Sequence, residues 1–490
     1  MLFMQEQLKY PEVIEKIKAL GYEPYARKFD RNATISEIRQ RFESLKPDTR
    51  DESVIFRIAG RIRTRREHGK LIFMDLEDFS GRIQLYIEVA KLTKREQELL
   101  MLISTSDIIG VSGFPLKTKR GELSLYVKEI TILTKALKTI PNEWFGLKDQ
   151  ETRYRQRYLD ILINKEVKDM IIKRSLFWQN MREFLLSKGF IEVETPVLES
   201  RAGGASAKPF ITHHNALDID LYLRICAGEL WQKRLLVAGF EKTFEIGRVF
   251  RNEGIDMEHA QDYTMMEFYW AYANYKMAME LVEEMYKNIA LKTFGTLKFE
   301  MRGFSVDLGK KWEEYDYVKT VKKFTDIDIL NTNLEECLKK LNELGVEYDK
   351  KKINLERAID NLWKYCRKKI GGPGFLINHP VIVSPLAKRN PENPNITERF
   401  QVIIAGSEIG NGYSELNDPV DQATRFVEQQ KLREAGDEEA QMFDRDFVEA
   451  LEYGMPPAAG FGVSERLFAF FANKPVREAQ IFPLLRPEKE

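Results

Sequence analysis

Residues 250–272 read FRNEGIDMEHAQDYTMMEFYWAY, and the second half of this stretch decides what kind of domain the chain builds. A strand has a period of two, which puts Met265, Glu267 and Tyr269 on one face. The preceding KTFEIGRVF (242–250) reads as a second strand, so the two flank a loop carrying Arg251, Asn252, Glu253 and His259. Arginine suits a phosphate there, because its planar fork is always charged and makes paired hydrogen bonds. The local pattern alone fits equally a hairpin with a solvated polar loop.

Two further stretches follow the same logic. In SEIGNGYSELND (407–418), Asn411, Tyr413 and Glu415 alternate onto one face, and Glu408 precedes what reads as a tight Gly-Asn-Gly turn. A polar row on a central strand is costly unless it meets a ligand, whereas on an edge strand it simply meets water. In AAGFGVSERLFAFF (458–471), glycines allow close backbone approach and Arg466 follows at a helix start, a place also common for surface arginines. The chain has no GxxxxGK[ST], and no GxGxxG opens a helix after a strand. A nucleotide site here has to be built from arginines and sheet residues.

Outward from these stretches, strands followed by helices without strict alternation predict an α+β domain on an antiparallel sheet over 165–490. A helix is expected at KEVKDMIIKRSLFWQNMREFLLSKG (165–189), then a strand entry at FIEVETPVL (190–198), and a helical insertion rich in Lys, Glu and Leu over about 310–375. Residues 1–52 read as a helical segment. Residues 53–140 switch to five short β-branched and aromatic runs plus one helical insert, KLTKREQELLMLI, the pattern of an OB-fold barrel. Residues 141–164, opened by Pro141, read as a linker.

The 490 residues predict about three domains. A composition of 43% hydrophobic and 31% charged residues excludes a disordered or fibrous chain. No apolar run approaches a membrane span and the first residues lack a signal-peptide core, so a soluble protein is expected. Cys226, Cys337 and Cys366 form no CxxC pair, which points to a reducing compartment, with Cys226 a small apolar filler. His213–His214 has no second ligand pair at metal spacing and reads as structural. The 76 Lys+Arg balance 76 Asp+Glu, but residues 1–140 hold 26 and 20, a net of +6, leaving −6 for the rest. The two parts are therefore suited to different partners.

Taken together, the stretches resemble the class II aminoacyl-tRNA synthetases. FIEVETPVL resembles their motif 1, FRNE their motif 2 and GFGVSER their motif 3. RYRQRYLD (153–160), GGASAKPFITHHNALDIDLYLRI (203–225), TMMEFYWAYANY (264–275), SPLAKRNPENP (384–394) and EIGNGYSELNDPVDQATRF (408–426) are most similar to the lysyl-tRNA synthetase family. The resemblance runs from about residue 55 to the C-terminus and weakens over 310–375.

The resemblance implies activation of L-lysine by ATP to lysyl-adenylate, then transfer to the 3′ end of tRNA(Lys). It implies Arg251 and Arg466 as catalytic residues, with Arg251 holding both the α-phosphate and the lysine carboxylate. Glu253 would accept from the adenine amino group and Tyr263 would stack on the base. His259 and Arg466 would reach the distal phosphates or the adenine face. Glu408 would hold Mg2+. For lysine, Glu229 and Glu267 match positions near the α-amino group, Tyr269 and Glu415 those at the ε-ammonium, and Gly204 and Asn411 line the site. The barrel would read the anticodon with Arg66, Phe73 and Gln84, backed by a basic strip of Arg61, Arg63, Arg65, Arg66 and Lys70. For Phe73 the competing reading is plain barrel core, and for the strip a solvated face. A cytoplasmic homodimer, with no membrane partner, is also implied.

Three departures stand out. Gln401 occupies the place of a second magnesium-binding glutamate; its amide offers an oxygen but no charge. Motif 3 ends in Ser464-Glu465-Arg466 in place of alternating glycines and Asp-Arg. LRICAGELWQKR carries one residue more than usual before Glu229. Rival readings are an aspartyl- or asparaginyl-type synthetase and a weakened tRNA-binding paralogue. Glu415, Tyr269 and Glu229 oppose the first; retention of Arg251, Glu253, Glu408 and Arg466 opposes the second.

Overall fold

The computed structural model describes residues 11–141, 149–254, 259–350 and 353–488. The chain divides into two compact units, residues 1–147 and 148–490.

The first unit is a closed barrel of β1 (Phe56–His68), β2 (Leu71–Glu77), β3 (Arg82–Glu88), β4 (Ile108–Lys117) and β5 (Leu123–Thr134), in the ring order β4-β1-β2-β3-β5. All pairings are antiparallel except β3 with β5. Period-two burial drives closure: Ile72, Met74 and Leu76 of β2 and Ile83, Leu85 and Ile87 of β3 fill the interior. Helices α1 (Glu12–Ala19), α2 (Ile35–Phe42) and α3 (Lys94–Leu102) pack against that core through Ile17, Ile35, Ile38, Leu99 and Leu100. Thr34 and Thr93 each close a reciprocal capping box, with Glu37 and Glu96 three residues on.

The second unit is built on an eight-stranded sheet. Its strands are β6 (Ile191–Glu192), β7 (Lys242–Phe250), β8 (Asp262–Ala271), β9 (Glu313–Asp316), β10 (Gly374–Pro380), β11 (Ile396–Ile404), β12 (Ser407–Ser414) and β13 (Ala458–Ser464). Their order across the sheet is β9-β10-β11-β12-β13-β8-β7-β6. The inner pairings are antiparallel, and the outermost strand at each end is parallel to its neighbour. Helices α4 (Lys165–Ser187), α6 (Tyr275–Phe294) and α12 (Arg466–Phe471) cover one face, where Phe244, Met266, Phe268, Phe400 and Phe461 join Phe177, Tyr286 and Phe468 in a single core. The opposite face carries the cleft. Around it stand α5 (Glu229–Val237), α10 (Pro419–Glu434) and α11 (Arg445–Glu452), joined through Leu230, Phe426 and Phe447.

Helices α7 (Tyr317–Thr325), α8 (Leu334–Glu343) and α9 (Leu355–Arg367) have their own core, centred on Trp363, Val321, Leu341, Cys337 and Cys366, which rests on Leu376 and Ile403 of the sheet. The inserted stretch also supplies strand β9, which helical spacing does not reveal.

Several expectations need correction. Residues read as a linker contain helices Gln150–Arg155 and Arg157–Ile163, the second built around a fully buried Arg157–Asp160 ion pair. Arg157 also donates to the carbonyl of Glu478, tying this segment into the second unit. Of FIEVETPVL, only Ile191–Glu192 and Leu198 are in strands; Pro196 cannot donate to a ladder. Gly410-Asn411-Gly412 is no turn but the middle of β12. The turn lies earlier, at Ala405 and Gly406, both with positive φ. The glycines serve packing: a Cβ on Gly410 would stand 2.5 Å from the Phe461 ring, and one on Gly412 2.5 Å from the Gly460 carbonyl.

Candidate active site

A cleft of about 610 Å³ opens on the exposed face of the sheet. Every candidate named in the second unit lines it: Gly204, Glu229, Arg251, Glu253, His259, Tyr263, Glu267, Tyr269, Gln401, Glu408, Asn411, Glu415 and Arg466. The sheet explains this convergence. Met265, Glu267 and Tyr269 alternate outward on β8, and β13 beside it presents Gly460 and Gly462, whose lack of side chains lets Glu415, Tyr269 and Glu267 pack against the strand. A Cβ on Gly460 would lie 2.1 Å from Glu415 Oε1, and one on Gly462 3.1 Å from Glu267 Cγ.

At one end, Arg251 follows β7 and its Nε donates to the Ile225 carbonyl at 3.1 Å, which orients the guanidinium near the Tyr263 ring, 5.8 Å away. Arg466 opens α12, and the altered motif 3 has a clear register, with Ser464 opposite Met265. Glu465 locks that corner. Its carboxylate pairs with Arg174 at 2.5 Å, accepts from Gln480 at 2.7 Å and from the Thr264 N–H at 3.2 Å.

The other end is acidic. Glu267 accepts from the Ala227 N–H at 3.1 Å and from the Tyr269 hydroxyl at 3.1 Å. Burial, with Glu229 adding repulsion, pushes its carboxyl up to about 7. Glu415 is 1% exposed, and burial pushes it up to about 8, against the attraction of Lys233. Neither of its oxygens has a well-formed hydrogen bond among the described residues, and only Oε2 has a cation, Lys233, recorded beside it. A buried carboxylate oxygen left open toward a cleft is a place for a cation.

Sequence reasoning missed Lys233 and Arg399, and put Tyr413 on the polar face without giving it a part. Lys233, one turn after Glu229 on α5, is fully buried, 2.7 Å from Glu229 Oε1 and 2.5 Å from Glu415 Oε2. The Tyr413 hydroxyl donates to Glu229 at 2.5 Å, and Arg399 Nε donates to Asn411 at 2.8 Å. The Glu229–Lys233 spacing in ELWQKR was the visible signal, but it reads as a surface pair. The extra residue before Glu229 falls in a turn closed by Gly228 at φ 78°, directly before α5.

For a metal ion, Glu408 fits and Gln401 does not. Glu408 accepts from Trp363 Nε1 at 2.6 Å and from Gln401 Nε2 at 3.0 Å. The Gln401 oxygen faces His379 Nε2 at 3.0 Å. Burial holds His379 well below its ordinary range, hence neutral and able to donate to that oxygen. Gln401 thus turns its NH2, not an oxygen, toward the carboxylate. No three His, Cys, Asp or Glu side chains among the described residues are grouped to hold an ion, so any hard cation at Glu408 takes its other oxygens from phosphates and water. His213 pairs with Asp220 at 3.1 Å and His214 Nδ1 accepts from the Leu217 N–H, so both brace a hairpin turn.

On the barrel, Phe73 is not core. It lies on the outer face of β2, ring centroid 5.3 Å from Tyr86, with Arg66 opposite it on β1. Gln84 shares that face, opposite Asp75, which pairs with Arg66 at 3.4 Å. Tyr86 and Asp75 were legible in the alternation but not singled out. The five-residue basic strip does not form one free face. Arg61 donates to the Ser106 carbonyl, Arg65 to those of Leu100 and Ile103, and Arg63 pairs with Glu77.

A family profile described as tRNA synthetases class II (D, K and N) matches residues 149–486, and one for an OB-fold nucleic acid binding domain matches 56–133. Curated lysine–tRNA ligases are similar along nearly the whole chain. That of Thermotoga maritima is 46% identical, covering 99% of this chain and 96% of its own. That of Thermosipho africanus is 46% identical over 97% and 94%, and that of Moorella thermoacetica 44% over 98% and 97%.

Proposed function

The chain belongs to the lysine–tRNA ligases, within the class II tRNA synthetases, and from that premise we propose how its two units divide the work. The cleft binds ATP and L-lysine, and the lysine carboxylate attacks the α-phosphate. This forms a new C–O–P bond and expels pyrophosphate. The 3′-terminal ribose hydroxyl of tRNA(Lys) then attacks the mixed anhydride and releases AMP.

The observation that carries the lysine reading is the buried, open Oε1 of Glu415 at the far end of a cleft whose near end holds Arg251. Arg251 faces the two anions that must meet, the lysine carboxylate and the α-phosphate, and its fork lowers their repulsion. Glu267 meets the α-ammonium and Glu415 with Tyr269 the ε-ammonium, an arrangement in which each buried charge has a partner. Glu253 and Tyr263 receive the adenine, and His259 and Arg466 the outer phosphates. Glu408 would hold Mg2+, which when bound would supply charge neutralisation to the phosphates. Catalysis is positioning and electrostatics. Lysine-dependent ATP–pyrophosphate exchange across the common amino acids tests this; exchange driven by another amino acid and not by lysine would refute it.

The acidic end also predicts a pH dependence. Glu267 holds its proton to higher pH than an ordinary carboxyl, and a neutral carboxyl cannot balance an ammonium. Glu229 and Lys233 from α5, Tyr269 from β8, Tyr413 from β12, Glu415 and Arg251 surround it. Lysine kcat/KM is therefore expected to rise as pH increases through about 7, by up to roughly tenfold per unit on the acid side. A flat profile between pH 6 and 8.5 would contradict this.

The OB-fold domain binds the anticodon. Phe73 with Tyr86 offers a stacking surface and Gln84 a base-edge reader. Phe73→Ala is expected to raise the KM for tRNA roughly 5- to 150-fold, the worth of one base stack, with pyrophosphate exchange unchanged. Equal losses in both assays would count against the division of labour.

A homodimer is supported by exposed apolar side chains in and beside motif 1: Ile191, Val197 and Leu198, with Ile172 and Leu176 on α4. Among the described residues no helix is long and apolar enough to cross a membrane. The three cysteines are unpaired thiols, consistent with a cytoplasmic enzyme.

A further inference from the structure

Lys233 is a charged member of the acidic cluster to which the reaction assigns no part. Its ammonium bridges Glu229 and Glu415, and the rings of Tyr413, Phe447 and Tyr269 stand 5.5, 5.8 and 5.9 Å from it. Burial alone would depress this ammonium, but the two carboxylates raise it above the ordinary lysine range, so it is charged. The upward shift of Glu415 points the other way, toward a proton on the carboxyl. With Nζ 2.7 and 2.5 Å from two carboxylates, the contact geometry favours the charged bridge.

Lys233 approaches Glu415 at Oε2, 2.5 Å away, while Oε1 lies on the Gly460 side, and neither oxygen has a well-formed hydrogen bond among the described residues. The formal charges point to a task beyond structure. Glu229, Glu267 and Glu415 against Lys233 and Arg251 leave one net negative charge, and lysine with both ammonium groups protonated carries one net positive charge.

We infer that Lys233 is a resident counter-ion, a specificity-determining positioning residue that leaves the empty pocket with one net negative charge and so matches it to a monocationic amino acid. Without it, Glu229 and Glu415 repel each other at close range, and the pocket takes up a proton in place of substrate. The charge also keeps Glu415 turned so that Oε1 faces the incoming ε-ammonium. This rests on the lysine reading of the cleft.

Lysine-dependent pyrophosphate exchange, measured from pH 6 to 9 on the full chain and its variants, tests the inference. Exchange driven by lysine in the unaltered protein checks the reading beneath it. Lys233→Met is expected to raise the KM for lysine roughly 30-fold or more at pH 7.5, with the KM for ATP unchanged. Its acid limb should move up by about one unit. Lys233→Arg, which keeps the charge, should keep the acid limb. In Lys233→Ala, millimolar n-propylammonium should restore exchange at least tenfold, and n-propanol, which fills the same space without charge, should not. Wild-type lysine KM and acid limb in the Met and Ala variants would overturn the inference while leaving the reading of the site intact. So would equal rescue by propanol, or a loss confined to turnover. Where the Ala variant folds poorly, recovery of exchange with the amine supports the counter-ion, and recovery with neither compound counts against it.

Discussion

Glu415→Gln is expected to reduce lysine kcat/KM in pyrophosphate exchange by roughly 150- to 5,000-fold, the equivalent of the ~3–5 kcal/mol lost when one partner of a buried ion pair is removed. The amide keeps the shape of the carboxylate, so the loss reports charge rather than space. Glu415 is the right place for a large effect. It is buried, it lies against Lys233, and its remaining oxygen is unpartnered. The change should fall mainly on the KM for lysine, with the KM for ATP little altered, because adenine and the phosphates meet other residues. Retention of near-normal lysine activation would remove Glu415 from the substrate site.

Arg251→Ala is expected to lower kcat for the same exchange by roughly 10²–10³-fold or more, the range seen when a preorganised group facing developing charge is removed. Here the substituted group faces two anions at once, so ground-state binding and transition-state stabilisation are both lost. Arg251→Lys should recover little of it. The Nε of Arg251 is spent on the Ile225 carbonyl, which fixes the plane of the fork, and an ammonium has neither that anchor nor paired donors. Recovery of most activity by lysine would show that a point charge suffices and that the fork has no part. Arg251→Ala should keep wild-type melting behaviour, since Arg251 lies outside the large apolar core on the other face of the sheet, whereas Glu415→Gln should lower the melting temperature because it leaves buried Lys233 with one carboxylate fewer.

Much of this site was legible because a strand repeats every two residues. Once residues 262–271 were read as a strand, Glu267 and Tyr269 had to share a face; Phe73 and Gln84 came from the family resemblance, and the alternation left Phe73 open between barrel core and surface. What stayed hidden had three physical causes. Glycine is ambiguous: Gly410 and Gly412 look like a turn, but they are there to let Phe461 and the Gly460 backbone approach. Helical spacing is blind to burial: Glu229 and Lys233 form the i,i+4 pair of a solvated helix, and only α5 packing against β8 and α11 makes them interior. Finally, contacts between distant residues leave no local trace. The Trp363 indole reaches Glu408 from an inserted helix, and Gln401 is turned by His379. Arginines misled for a related reason, since local charge does not say that Arg61 and Arg65 are already spent on backbone carbonyls.

Gly460 also bears on how far this enzyme can be redesigned. At the end of the cleft proposed for the lysine side chain, the floor of the pocket is the main chain of β13, with the Glu415 carboxylate and the Tyr269 ring packed where a side chain would start. A floor made of side chains can be trimmed to admit a longer amino acid; a floor made of sheet backbone cannot, because neighbouring strands hold their spacing. Room for a bulkier or longer substrate has to come from the walls, from α5 or from Tyr413. Along this axis the upper limit on substrate length is a property of the fold, and only the choice of charge is left to individual residues.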